Sequence, residues 1–201
     1  MYLSKVMITG KACRNPYEIH RTLWRMFPED VNAGRDFLFR IEKSGPQQAE
    51  LLMQSMRQPV SQSPNAGLLA TRDYPLKLIK GQRVRFFLIA NPVKTINDEK
   101  SRKNAKGEVK KCRVPLIDEF EQRLWMERKL DVSARLEALI IANCLPLYFK
   151  KSNANMAGKI QPVSFQGILQ VTKPTSLKKM IVNGIGPAKA FGCGLLSLAR
   201  A

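Results

Sequence analysis

Residues 2–27 read YLSKVMITGKACRNPYEIHRTLWRMF, a strand followed by a helix whose start is written into the sequence. Residues 2 to 9 read as the strand. Asn15 reads as an N-cap, Pro16 as the first helical residue and Glu18 as the third-position partner of a capping box, which predicts a helix over 16–27. At about 100° per residue, Ile19, Leu23 and Met26 fall on one side of that helix. Tyr17, His20, Arg21 and Trp24 fall within a narrow arc on the other. That arc joins an imidazole, a phenol, a guanidinium and an indole, groups that can move protons, hold a phosphate and stack on a base. The same spacing also suits a structural role, with Tyr17 and Trp24 packed beneath a neighbouring element and His20 as a satisfied polar residue.

Working outward, the segments RDFLFRIE (35–42) and AELLMQSM (49–56) predict a strand pair turned by Ser44, Gly45 and Pro46. A short helix near 64–68 and a strand through Tyr74, Leu76, Leu78 and Ile79 would complete a β-α-β-β-α-β unit, the ferredoxin-like order. Gly81 marks the boundary. The same order then recurs: RVRFFLIAN as a strand, PLIDEFEQRLWMERKL (115–130) as an amphipathic helix, and LPLYFK with IQPVSFQGILQV as a strand pair. SLKKMIVNG is read as a helix and GLLSLA as the last strand, with Pro146 and Pro162 at strand starts or edges. The expected fold class is α+β, two tandem ferredoxin-like (RRM-like) domains over 1–80 and 81–201. A single mixed α+β domain is the competitor.

Composition narrows the partner. Thirty-four Lys and Arg against sixteen Asp and Glu leave a net charge of +18, a field that calls for a polyanion. A hydrophobic content of 44% is enough for packed cores, so the basic charge belongs to a folded protein. No apolar run approaches the roughly 20 residues of a membrane span, and MYLSKVMITG lacks the layout of a signal peptide. Nucleic acid is therefore favoured over membrane, and a cytoplasmic location is expected. Cys13, Cys112, Cys144 and Cys193 stand singly, and one histidine cannot supply a His-rich metal centre; neither HExxH nor a clustered carboxylate pattern is present. No metal and no cofactor are expected.

Two local outliers carry the positive charge and the glycines. The insertion at 91–115 holds Lys94, Lys100, Arg102, Lys103, Lys106, Lys110, Lys111 and Arg113 against Asp98, Glu99 and Glu108, with Asn104 to Gly107 as the turn of a protruding hairpin. Such an arm supplies phosphate affinity without sequence readout. The segment NGIGPAKAFGCGLLSLA places Gly184, Gly186, Gly192 and Gly194 around Pro187 and Lys189, where backbone N–H groups could approach a phosphate. It lacks the Walker order and does not follow a Rossmann first strand, and it could equally be a tight helix-to-strand reversal.

Taken together, YLSKV, NPYEIHRTLW, RDFLFRIE, ANPVKTI, KCRVPLI and the ending GIGPAKAFGCGLLSL resemble the CasE family of type I-E CRISPR-associated repeat endoribonucleases, in order and across nearly the whole chain. The resemblance implies two ferredoxin-like domains, cleavage of the repeat hairpin of CRISPR precursor RNA, retention of the product, and partnership with the other Cascade subunits, with an isolated chain that is monomeric. By the same resemblance His20 matches the catalytic histidine, Tyr17 its partner tyrosine and Arg21 a basic RNA contact. The loop 184–194 matches the family's glycine-rich loop. Residues 59–75 and 131–158 map to no motif. The implied chemistry uses the RNA 2′-hydroxyl as nucleophile, with His20 as base or acid and Tyr17 donating a hydrogen bond or positioning that hydroxyl; which of the two is base and which acid stays open. The alternatives are a non-catalytic RNA-binding module in which Trp24 and Tyr17 stack bases, and a DNA-binding or ribosome-associated basic protein. No helix-turn-helix supports the latter.

Overall fold

The structure, a computed structural model, describes residues 1–27, 34, 36–60, 65–150 and 157–201. Its first half builds one antiparallel sheet. β1 (Tyr2–Thr9) leads through a short 3-10 turn into α1 (Pro16–Trp24), followed by β2 (Phe37–Ser44), β3 (Gln48–Ser55) and β4 (Ala66–Asp73). The strands lie side by side in the order β2-β3-β1-β4. α1 covers one face because its period places Ile19 and Leu23 against Val6, Ile8, Phe37, Phe39, Leu51 and Met53, all buried. The helix closes three residues early: after Trp24 the chain tightens, with Met26 N–H donating to Leu23 and Phe27 N–H to Trp24.

The second half repeats the plan. β5 (Arg83–Ala90) is followed by a hairpin of β6 (Val93–Asn97) and β7 (Lys111–Pro115), then α2 (Glu119–Leu130) and β8 (Ala134–Asn143). A second hairpin, β9 (Leu147–Lys150) and β10 (Ala157–Ile160), precedes β11 (Val163–Val171), α3 (Pro174–Asn183) and β12 (Leu196–Arg200). The sheet order is β12-β5-β11-β8. Counted by appearance along each half, both sheets run second, third, first, fourth, the ferredoxin-like arrangement expected from the sequence. Alternating Val84, Phe86, Leu88 and Ala90 meet Trp125, Met126 and Leu130 of α2 and Leu177 and Ile181 of α3, and Trp125 stacks on Phe165 at 5.8 Å.

Four sequence expectations are corrected. Of the stretch expected to be helical near 64–68, Asn65 is a turn residue and 66–68 are the start of β4; Pro64 lies outside the described residues, as does Arg35 of the RDFLFRIE strand. Residues 74–79 form no strand; Leu76 and Leu78 instead pack against the second core, which explains their apolar alternation without any sheet pairing. The second strand of the C-terminal sheet is β8, while LPLYFK pairs with β10 in a separate ribbon. Pro115 ends β7, and α2 begins only after Asp118, whose carboxylate accepts from Glu121 N–H at 3.0 Å. Pro146 and Pro162 do precede strands, β9 and β11.

The halves meet through β2 and β3. Phe37, Leu38, Phe39 and Arg40 are buried in succession because both faces of β2 are covered, α1 on one and the C-terminal half on the other. Arg40 is 5% exposed; it donates to Ser197 Oγ at 2.9 Å and Leu195 O at 3.5 Å, pairs with Glu42 at 2.7 Å, and lies 4.6 Å over the Phe87 ring. Gln54 Nε2 donates to Ile181 O at 2.9 Å. Arg40→Ala strips these acceptors of their donor and is expected to cost about 2–3 kcal/mol of unfolding free energy. Chemical denaturation of the purified variant measures it; an unchanged midpoint would show that the contact between halves does not depend on Arg40.

Candidate active site and nucleic-acid groove

The helix start expected at Asn15 is formed: Asn15 Oδ1 accepts from Tyr17 N–H at 3.1 Å, and Pro16 occupies the first helical position. Ile19, Leu23 and Met26 are fully buried, as their facing requires. On the other arc, Tyr17 and His20 are half-buried and Arg21 is exposed, 3.4 Å from Glu18. The imidazole is seated against an aromatic wall, its ring centroid 5.4 Å from Phe37, 6.5 Å from Phe39 and 6.2 Å from Trp24. Trp24 meets Phe37 edge-on at 5.3 Å and packs against the first core, so it holds the histidine's surroundings in shape instead of standing clear of the helix. α1 also touches β9 and the 3-10 turn Lys189–Phe191 of the C-terminal half. The imidazole and phenol thus sit on a helix that borders both halves.

The glycine-rich loop is first a close-packed reversal. Gly184 ends α3 at φ 74°, where an added Cβ would lie 2.8 Å from Leu38; Gly186, at φ 77°, would place one 2.9 Å from the Trp125 ring. Several of the loop's N–H groups are spent internally, Gly184 on Met180 O, Ile185 on Gly194 O, and Phe191 and Cys193 on Ala188 O. Lys189 Nζ donates to Asn183 O at 2.7 Å, satisfying the C-terminal end of α3. Burial pushes the Cys193 thiol up to about 12, so this cysteine is a packing group.

The basic arm is the hairpin expected from the sequence, with Asn104 N–H bonded to Glu108 O across its turn. Its cations divide into two kinds. Arg102 is locked onto Asp98, with Nη2 2.7 Å and Nε 2.9 Å from the carboxylate oxygens, and these bonds hold the Asp98 carboxyl well below the usual carboxylate range. Lys94 pairs with Glu121 at 2.8 Å. Lys103, Lys106, Lys110, Lys111 and Arg113 are exposed and have no ion-pair partner among the described residues.

At the foot of the arm a groove of about 500 Å³ runs between α2 and the glycine-rich loop. Arg113 and Lys189, expected from the sequence, line it together with Arg128 and Lys129, two cations of the last turn of α2 that sequence reasoning did not single out. Trp125 forms its floor, with Lys129 Nζ 5.7 Å from the ring centroid. Gly184 and Gly186 line it as well, so loop and arm residues far apart in sequence share one cationic surface. His20 and Tyr17 are not among its lining residues. Among the described residues no group of three or more His, Cys, Asp or Glu side chains is placed to hold a metal ion.

Comparison with known proteins agrees with this architecture. The chain is 44% identical to the Cascade subunit CasE of Escherichia coli strain K12 over 200 residues, 99% of either chain. It is 32% identical over 221 residues to the CRISPR-associated endoribonuclease Cse3 of Thermus thermophilus, covering 99% of this chain and 100% of that one. Among solved structures, Cas6e of E. coli K-12 superposes with a TM-score of 0.86 at 43% identity, and Cse3 bound to a 19-nucleotide RNA with 0.78 at 31%, each over the whole of both chains. Residues 1–200 match the family described as "CRISPR associated protein", and the chain belongs to that family.

Proposed function

We propose that this chain is a metal-independent endoribonuclease that cuts the stem-loop of CRISPR repeat RNA, keeps the product and serves in the cytoplasm as a Cascade subunit. The observation that carries this reading is the placement of Tyr17 and His20, side chains able to exchange protons, on a helix that touches the half of the protein holding the cationic groove. Relatives named as a Cascade subunit and as an endoribonuclease, one of them solved with RNA bound, support it. The units 1–80 and 81–201 would divide the work. The first carries the proton-transfer pair, the second the arm, the groove and the glycine-rich loop.

In this mechanism the RNA's own 2′-oxygen attacks the adjacent phosphorus in line with the departing 5′-oxygen, leaving a 2′,3′-cyclic phosphate and a 5′-hydroxyl. His20 exchanges a proton at one of the two oxygens, because a ring nitrogen of an imidazole can either accept or give one. Tyr17 donates a hydrogen bond or positions the 2′-hydroxyl. A two-histidine mechanism is impossible in a chain with one histidine. Arg21 and the groove cations supply the field that steadies the charge gathering on the phosphate. The seat of His20 against Phe37 and Phe39 fixes its ring plane, which is what proton transfer at a set distance requires.

His20→Ala is expected to slow single-turnover cleavage of a labelled repeat hairpin by about 10²–10⁴-fold while its affinity stays near wild type. Affinity falling in step with rate would make His20 a recognition residue. Cleavage should persist in excess EDTA and stop when the nucleotide upstream of the cut carries a 2′-deoxy sugar, with that hairpin still bound; efficient cutting of the deoxy substrate would reject the route. The arm gives a third expectation. Replacing Lys103, Lys106, Lys110 and Lys111 by Ala should flatten the slope of log affinity against log salt by up to about 0.9 for each phosphate no longer neutralised, whereas Arg102→Ala should change it far less, since Arg102 is already engaged by Asp98. Equal effects for Arg102 and for a single lysine would contradict that division.

A further inference from the structure

A second cavity, of about 550 Å³, opens where the glycine-rich loop, the β9–β10 ribbon and the base of the arm converge. Phe149 and Phe191 form one wall with their ring centroids 4.3 Å apart, and Ile117 and Pro187 add apolar surface. Arg113 and Lys159 stand at its border, and no carboxylate lines it among the described residues. Asn91, directly after β5, contributes the one anomaly: its Oδ1 is buried and has no hydrogen-bond partner among the described residues. A buried acceptor left unpaired is costly, and an occupant bearing an N–H donor would relieve it.

The surroundings say what kind of occupant fits. This cavity shares Val93, Arg113 and Pro187 with the cationic groove, so a polyanion lying in the groove passes directly by its mouth. An aromatic wall, an amide floor and flanking cations match the three parts of a nucleotide: a flat ring, a hydrogen-bonding edge and a phosphate. Phe149 and Phe191 also belong to the two elements of the C-terminal half that α1 touches, which sets the cavity beside the helix carrying Tyr17 and His20. An acidic or aliphatic peptide segment would leave either the aromatic pair or the Asn91 acceptor unused.

We propose that this cavity receives one unpaired nucleobase of the RNA, extruded next to the stem, with its ring against Phe149 and Phe191, an N–H of its edge on Asn91 Oδ1 and its phosphate at Arg113. The inference rests on the RNA-cleaving function proposed above and adds a base subsite to it. A single-stranded nucleotide would thereby be held at the border of the two halves, and the stem anchored relative to α1 by something other than phosphate attraction. The ring and edge contacts are insensitive to salt, whereas the arm's contacts and the phosphate on Arg113 are not.

The test uses the full-length protein with repeat hairpins in which each unpaired nucleotide flanking the stem is replaced in turn by an abasic residue. One position should weaken binding to the wild type about tenfold, and the same substitution should cost Phe191→Ala and Asn91→Leu little further. Asn91→Leu should bind the intact hairpin about five- to tenfold more weakly while the thermal midpoint of the RNA-free protein stays level or rises, because the variant removes an unpaired buried acceptor. That combination separates a binding role from a structural one. If every abasic substitution costs the variants as much as the wild type, or if Asn91→Leu lowers the midpoint without changing RNA affinity, the subsite does not exist. Variants that bind and cut RNA normally but fail to join the other Cascade subunits would assign the cavity to a protein segment and overturn the inference. A wild type that neither binds nor cuts any repeat hairpin would sink the proposed function itself, a result distinct from binding without coupling.

Discussion

A guanidinium buried at the seam between two sheets organises the rest of the molecule. Taking Arg40 out of water carries a desolvation cost of several kcal/mol, and a contact of that kind is kept only where its geometry is fully used. Here it is, by a hydroxyl, a carbonyl, a carboxylate and an aromatic face drawn from β2, β5, β12 and the residue before β12. The strand that carries Arg40 toward the second half carries Phe37 and Phe39 toward α1 on its opposite face. One strand thus fixes two positions at once, that of the C-terminal loop against the sheet and that of His20 against its aromatic wall. The Gln54 bond to Ile181 repeats the arrangement on the neighbouring strand.

The net charge of +18 is distributed with a purpose that its total hides. Part of it is consumed in structure: Arg40 at the seam, Arg57 on Asp36 at 2.7 Å, Arg83 on Glu137 at 2.7 Å, Arg102 on Asp98. The Asp98 pair is especially robust to acid. With its folded-state pKa held low, its contribution is fully present above the unfolded value near about 4 and is lost only as pH falls through the lower folded value. The pair therefore braces the base of the arm across any ordinary pH, and the lysines beyond it are left to solvent and to a polyanion. Arg113, Arg128 and Lys129 continue that surface into the groove.

Much of this is legible in the chain. The cap at Asn15 and the spacing of Ile19, Leu23 and Met26 fix the facing of α1, and therefore which face His20 and Tyr17 occupy, because both signals act over a few residues. The strand pairs of the first sheet and the turn at Asn104–Gly107 follow from local chemistry in the same way. The elements that sequence misplaces depend on distant partners. β8 mixes Arg135, Glu137 and Ala138 with apolar residues along an edge, which erases the alternation that marks a strand. Leu76 and Leu78 alternate without pairing because a core in the other half receives them. The groove and the Asn91 cavity are hidden for a related reason: Arg128, Phe149 and Phe191 are unremarkable where they stand in the sequence, and only the packing of two helices, a ribbon and a loop brings Arg128 to the groove and the two rings to the cavity.

The placement of the two tryptophans has a practical consequence. The chain has only Trp24 and Trp125, one in each half. Trp24 stands 6.2 Å from the imidazole of His20, and Trp125 forms the floor of the groove beside Gly186. Their emission is an intrinsic optical signal with one source at each functional surface. Replacing either by Phe isolates the other, so arrival of a ligand in the groove and its engagement at α1 can be timed as separate events by stopped-flow, with no label attached to protein or RNA.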